Sequence, residues 1–390
     1  MISVIFLDVL LFISIYASKK LTHPAVIVSG IWTIILNLYV FSENELYPLS
    51  QKLQDIIVLW VLVFIISSLL SSSHAIKIKN RFKKQEPNIY FIKKIYPIIC
   101  IGNLIFIFSV LKEIGGAFNL EALINTREGL LEDHLPLYIK LLFYFNSFST
   151  VYLIVVTLYS NILSKRNYII LFIIILLATI VKTNKTAIVS LACSLIYVYN
   201  ERGILTKSKL IVIVIAIITI LYLSIFLRGD VNDSFDISRY LIIYTLSPLA
   251  AMDMVINGDY SISTGTAGSS TFIVLYKILN LLGFNFEIAS RGEWVNVPFP
   301  TNVFTTFRGF YLDFGIYGIL FFSFILGSLW GIIYRWAKKG FGIFIVFYSL
   351  MIYSLVLQFF ADYFFITFST TFQYIFFSII LFIPIKILKN

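Results

Sequence analysis

Residues 291–318 read RGEWVNVPFPTNVFTTFRGFYLDFGIYG. Polar, aromatic and turn-forming residues crowd this stretch in a chain that is otherwise mostly hydrocarbon. Arg291, Glu293, Arg308 and Asp313 supply charge, with Trp294, Asn302 and Tyr311 among them. Pro298 and Pro300 hold the backbone out of a helix, because each ring fixes φ, removes a donor and constrains the residue before it. From about Asp313 the pattern becomes a long apolar helix. A loop outside the cytoplasm re-enters a membrane at such a junction, and we read it as the lip of an active site.

The rest of the chain sets the class. Its 390 residues are 59% hydrophobic, 17% aromatic and only 13% charged, with a mean hydropathy of +0.92. Soluble domains carry about 25% charged residues. The composition predicts an all-α polytopic integral membrane protein, since helices satisfy their own backbone groups in lipid. The first apolar run ends at Lys19-Lys20 without a small-x-small cleavage pattern, so no cleaved signal peptide is expected. Cys100 and Cys193 lie in apolar runs and read as small core- or lipid-facing residues, not as a disulfide. There is no His/Cys cluster with metal spacing, P-loop, dinucleotide fingerprint or G-x-S-x-G motif, so no metal, nucleotide or other cofactor is expected. The net charge of +10 is assigned to membrane topology and not to nucleic acid.

Working outward, eleven apolar runs fall at about 2–17, 24–41, 56–73, 95–113, 137–160, 168–181, 186–200, 210–227, 313–334, 341–360 and 363–385. The most basic connection, KIKNRFKKQEPNIYFIKK at 77–94, belongs in the cytoplasm. Alternation from there puts the clusters at 19–20, 165–166, 202–209, 335–339 and 386–389 inside as well, and with them most of the 30 basic residues. Of the 20 acids only Glu86 and Glu201 fall inside. This predicts spans one to eight in 1–227 with an outer loop at 115–136, a large outer loop at 228–310, and spans nine to eleven in 311–390. The apolar pieces 240–256 and 270–283 of the large loop read as amphipathic or re-entrant helices. Asp8 sits inside the first span, where a carboxylate is costly, so it faces another helix or is protonated.

Basic residues left outside oppose topology and call for another reason. Arg127, Arg228, Arg239, Arg291 and Arg308 lie in or beside the two large outer loops, with Lys182 and Lys185 nearby. A guanidinium fork matches phosphate oxygens, so these arginines point to an anionic ligand, a lipid-linked pyrophosphate foremost. Each also has a neighbouring acid that it could pair instead: Glu128, Asp230, Glu293 and Asp313 among them. Most outer acids, including Asp253 and Asp362, read as solvated loop charges. Asp313, at the apolar start of a helix, either caps that helix or is held for proton transfer. His134 is the one outer histidine and Glu293 the acid of the central stretch, so both join Asp313 as candidate bases. Trp294, Asn302 and Tyr311 are the candidate sugar-binding residues. The aromatics of the stretch serve equally as a membrane belt.

PTNVFTTFRGFYLDFGIYG at 300–318 resembles the T-N-V-x-T…Y-x-D-F-G-x-x-G stretch of Wzy-type O-antigen polymerases, the oligosaccharide repeat unit polymerase family. IGGAFNLEALINTREGL at 114–130 is similar to that family's Gly-Gly loop with a following arginine, here Arg127, and KTNKTAIV at 182–189 matches a small-basic-Thr pattern more loosely. The resemblance implies a GT-C-like glycosyltransferase in the inner membrane. It would move a sugar chain from undecaprenyl pyrophosphate to the next lipid-linked repeat at the periplasmic face, with no nucleotide sugar. By residue the family pattern falls on Arg127, Asn302, Arg308, Tyr311 and Asp313. The implied partners are the undecaprenyl-pyrophosphate-linked oligosaccharide and membrane lipid, with a chain-length regulator left open and nucleic acid not expected. The rival readings are an O-antigen ligase, which uses the same donor, and a repeat-unit flippase or other transporter.

Overall fold

The structure, a computed structural model, describes residues 1–73, 86–117, 125–126, 129, 135–208, 210–211, 215, 237–289 and 292–383, with only the backbone for 237–241. Its helices in chain order are α1 (Ile2–Ser18), α2 (Pro24–Phe41), α3 (Gln51–Ser72), α4 (Ile89–Glu113), α5 (Leu137–Leu158), α6 (Lys165–Val181), α7 (Lys185–Glu201), α8 (Ile237–Asn257) and α9 (Ile273–Leu281). A two-residue strand pair follows, β1 (Val295–Asn296) and β2 (Pro300–Thr301), then α10 (Phe307–Lys338), α11 (Gly342–Met351), α12 (Tyr353–Val356) and α13 (Phe368–Phe382). Among the described residues, α2, α3, α4, α5 and α10 are long and apolar enough to cross a membrane, and shorter apolar helices accompany them. This is a multi-pass membrane protein.

Several boundaries differ from the sequence reading for local reasons. The basic connection ends earlier than 94, because Asn88 accepts from Phe91 N–H at 3.0 Å and starts α4 at Ile89. The predicted hairpin at 182–185 is present: Thr183 takes φ 51°, and the Asn184 side chain accepts from Thr186 N–H at 2.9 Å to start α7. The run at 341–360 is not one helix but α11, α12 and a chain of turns over 357–360. The run at 210–227 falls almost wholly outside the described residues.

The chain divides into two units that do not follow chain order. One comprises Met1–Asn80, Asp236–Lys339 and Ser354–Ser369, and the other Arg81–Phe235, Gly340–Tyr353 and Thr370–Asn390.

In the first unit α3 packs along α10 through small residues. A Cβ on Gly327 would lie 2.0 Å from Ser67 Oγ and 2.7 Å from Phe64 O, and one on Gly331 2.4 Å from Ser68 O. Glycine at these two positions lets the backbones approach, the usual device where hydrocarbon itself gives helices no reason to associate. Ser323 Oγ adds a bond to Trp60 O at 2.7 Å. Asp8 faces a helix as expected, accepting from Asn37 Nδ2 of α2 at 3.4 Å. Asp253 departs from the reading of a solvated acid. It is 6% exposed and accepts from Ser50 N–H at 2.7 Å, from the Ser50 hydroxyl, and from Asn257 Nδ2 at 3.3 Å, so it fixes the N-terminus of α3 to α8.

In the second unit a buried amide chain joins α4 to α5. Asn146 Nδ2 donates to Asn103 Oδ1 at 2.8 Å, and Asn103 Nδ2 donates to Ser149 Oγ at 2.7 Å. Lys182 sits over the Phe143 ring at 5.8 Å, and burial pulls its ammonium down to about 8.

Candidate functional site

The site grows from the short strand pair and the first turns of α10, all in the first unit. Val295 pairs with Thr301 and Asn296 with Pro300, so the two prolines end up in and beside a tight turn, which includes a cis Val297–Pro298 bond. Thr305 and Thr306 then lead into α10. Thr305 Oγ1 accepts from Phe307 N–H at 3.3 Å, and Thr306 N–H donates to Gln358 O at 2.8 Å. The helix therefore starts at Phe307, six residues before the sequence pattern suggests. The extra turns are separated from the membrane-crossing part by Gly315, whose φ of 63° and ψ of −154° break the helix.

Helical spacing sorts the side chains of these turns. Phe307 and Phe310 are fully buried. Phe307 stacks on Trp32 at 5.1 Å and Phe310 on Phe322 at 4.5 Å, forming an apolar floor. Gly309 and Asp313, four apart and so on one face, grip the segment just before α9. A Cβ on Gly309 would lie 3.0 Å from Ser270 O, and Asp313 accepts from Thr271 N–H at 2.7 Å and from Ser270 N–H at 3.3 Å. Asp313 therefore does not cap its own helix. It ends the orphan donors of a turn over forty residues earlier in the chain.

Arg308 and Leu312 face a cavity of about 250 Å³, lined also by Asn302, Thr305, Thr306, Ser270, Phe360 and Asp362. Arg308 is half-buried, lies over the Phe304 ring at 4.7 Å, and feels the charge of Glu293. Asp362 is 8% exposed, and its Oδ1 accepts from Phe364 N–H at 2.9 Å and Phe365 N–H at 3.2 Å. A half-buried guanidinium, hydroxyls, an amide and a carboxylate thus share one pocket with an aromatic wall. Such a mixture suits a phosphorylated sugar better than an apolar ligand.

The other predicted residues separate. Asn302 lines the cavity with Arg308. Tyr311 donates to Ile256 O at 3.3 Å, which Lys52 Nζ also reaches at 2.7 Å, so it ties α10 to the end of α8. Glu293 accepts from Ser263 N–H at 3.2 and 3.3 Å. Trp294 is 60% exposed, and its carbonyl accepts from Tyr260 Oη at 3.0 Å. Arg127, His134, Arg228 and Arg291 lie outside the described residues, and of Arg239 only the backbone, in α8, is described.

The chain matches the O-antigen polymerase family model over residues 20–359, a range that contains the strand pair, the start of α10 and the cavity lining as far as Leu312, and that ends just before Phe360 and Asp362. It belongs to that family. It is also similar to an O-antigen polymerase of Shigella dysenteriae, 23% identical over 379 residues that cover 93% of this chain and 92% of the relative. No solved structure matches the chain.

Two residues in or beside this cavity were not singled out from the sequence. Asp362 was one acid among many, yet it is the charge in the short break between the apolar runs 341–360 and 363–385, and that isolation is a usable signal. Gln358 gave no signal at all, because its partners are Trp32 and Trp60, some three hundred residues away in the chain.

Proposed function

We propose that this protein polymerises undecaprenyl-pyrophosphate-linked oligosaccharide repeat units into O-antigen or a similar surface polysaccharide, at the periplasmic face of the inner membrane. The observation that carries the reading is Arg308, half-buried in a cavity that mixes apolar walls with an amide, hydroxyls and a carboxylate, in a chain of the O-antigen polymerase family. The guanidinium presents donors to the pyrophosphate and opposes the charge that develops as the sugar–phosphate bond breaks. Asn302 and the threonine hydroxyls orient the sugar. Arg127, Arg228, Arg239 and Arg291, left outside by the distribution of basic residues, are the further pyrophosphate contacts named from the sequence. Trp294 and Tyr311, outside the cavity lining, are the further sugar contacts named from the sequence. The periplasmic side follows from placing the basic connections in the cytoplasm. A GT-C-like architecture accords with a helical membrane body bearing its site on an outer loop. The sugar of the donor is already activated by its pyrophosphate, so no nucleotide is needed, and the acceptor hydroxyl must lose a proton to a nearby base. Asp313, Glu293 and His134 are the bases named from the sequence. A chain-length regulator fits as an additional partner.

Deleting the gene in its host tests the reading. Surface polysaccharide carrying a single repeat and no ladder is the expected result, restored by the wild-type gene but not by Arg308→Ala at equal protein level. Loss of all repeat-bearing core with lipid-linked polymer accumulating would instead identify a ligase, and loss without such polymer a flippase.

A further inference from the structure

The polymerase reading requires a group that removes the acceptor proton, and the geometry points to one not yet assigned that role. We propose that Asp362 is the general base. Among the described residues that line the Arg308 cavity it is the acid, whereas Asp313 and Glu293 are absent from that lining and both hold backbone N–H groups elsewhere. Asp362 is buried and oriented: the two N–H bonds from Phe364 and Phe365 fix one carboxylate oxygen within a turn. The residue comes from the segment after α12 and Arg308 from the start of α10. Thr306 N–H to Gln358 O, at 2.8 Å, joins these two segments directly, so base and cation are held by one backbone contact.

The step balances within the substrates. The acceptor oxygen forms a bond to the anomeric carbon of the donor, and its proton passes to the Asp362 carboxylate. The bond from that carbon to the pyrophosphate oxygen breaks, and its electron pair leaves with the pyrophosphate beside Arg308. The proton later returns to solvent or to the departing group.

The assignment rests on the polymerase reading, and one experiment separates the two. Wild-type protein, Asp362→Asn and Asp362→Glu are purified in detergent and given lipid-linked repeat units extracted from membranes of the gene-deletion host. Retention of labelled donor and growth of polymer are measured separately. Asp362→Asn is expected to retain donor within about twofold of wild type while its polymerisation rate falls at least about 100-fold, the usual contribution of a positioned base. Asp362→Glu is expected to recover part of the rate. Should the Asn variant melt early, Asp362→Ser, whose hydroxyl can still accept the two turn N–H groups, serves in its place, with added formate expected to raise its rate. An Asn or Ser variant within tenfold of wild type would overturn the assignment, as would a rate that falls only in step with donor binding. Wild-type protein that neither retains nor extends the lipid-linked repeat would overturn the polymerase reading, and the assignment with it.

Discussion

The Trp60 indole N–H donates to Gln358 Oε1 at 3.0 Å, and the Trp32 indole N–H donates to the same oxygen at 3.2 Å. Both tryptophans are fully buried and Gln358 is 3% exposed. One amide oxygen therefore satisfies two donors, from α2 and α3, while the backbone carbonyl of the same residue receives Thr306 N–H. Replacing Gln358 by Met keeps the volume and orphans both donors, at about 1–3 kcal/mol each. The variant is expected to melt earlier in detergent. Trp32→Phe is expected to cost less in the Met background than in wild type, because its donor is already unpaired there. Equal costs in the two backgrounds would show that the shared oxygen does not couple the helices.

The close approach of α3 to α10 predicts a second outcome. Gly331→Leu has nowhere to place its side chain, since even a Cβ would meet Ser68 O at 2.4 Å. Overpacking of this kind costs about 1–3 kcal/mol or more. The variant is expected to lower the midpoint of thermal unfolding in detergent by several degrees, whereas Gly292→Ala, with nothing within 4 Å of its Cβ, leaves it in place. A normal midpoint for Gly331→Leu would mean that the two backbones are not in contact.

His23 gives a pH dependence of known sign. Its ring is 3% exposed, its Nε2 lies 2.9 Å from Ser72 Oγ, and its Nδ1 accepts from Ala25 N–H at 3.1 Å. Burial holds its pKa down at about 4, against an ordinary 6.5. Between those values the unfolded chain binds a proton that the folded chain refuses. The stability contributed by the neutral ring is thus complete above about pH 6.5 and is lost as pH falls toward 4. Unfolding followed from pH 7 to 4.5 is expected to show a smaller loss in His23→Gln than in wild type. Equal losses would remove His23 as the cause.

The distribution of charge predicts orientation. A reporter fused after Lys84 is expected to read cytoplasmic and one after Asp259 periplasmic. Either signal reversed would invert the outer loops and take the Arg308 cavity to the wrong side of the membrane for a periplasmic polymerase.

Most helices were legible because a membrane helix advertises itself by length and hydropathy, and α2, α3, α4, α5 and α10 all begin or end within a few residues of the expected runs. What escaped was set by contacts distant in the chain. The first turns of α10 looked like loop because their aromatics and Arg308 hide the helical spacing that puts Phe307 and Phe310 on one side. Asp313 read as a cap for its own helix or as a proton-transfer group, and its hydrogen-bond partners are at 270 and 271. The run at 341–360 looked continuous because apolar composition does not record that Gln358 is drawn out of a helix by two tryptophans. Arg308 and Asn302 stood out as candidates since arginine beside an aromatic-rich turn is unusual in hydrocarbon, and both line the same cavity. Asp362 was not, because only packing brings it to them.

The break at Gly315 has a consequence for how the protein meets its bilayer. The run from Ile316 to Lys338 is about 35 Å long at about 1.5 Å per residue, close to the roughly 30 Å of a hydrocarbon layer. The turns that carry Arg308 lie on the other side of the break and are not needed to span anything. Phe310 on the cavity side of the break stacks on Phe322 on the membrane side at 4.5 Å, so ring contact joins the two segments where the backbone helix is interrupted. The cavity is thereby anchored to the membrane-crossing helix by aromatic packing, and a tilt of that helix carries the Arg308 turns with it.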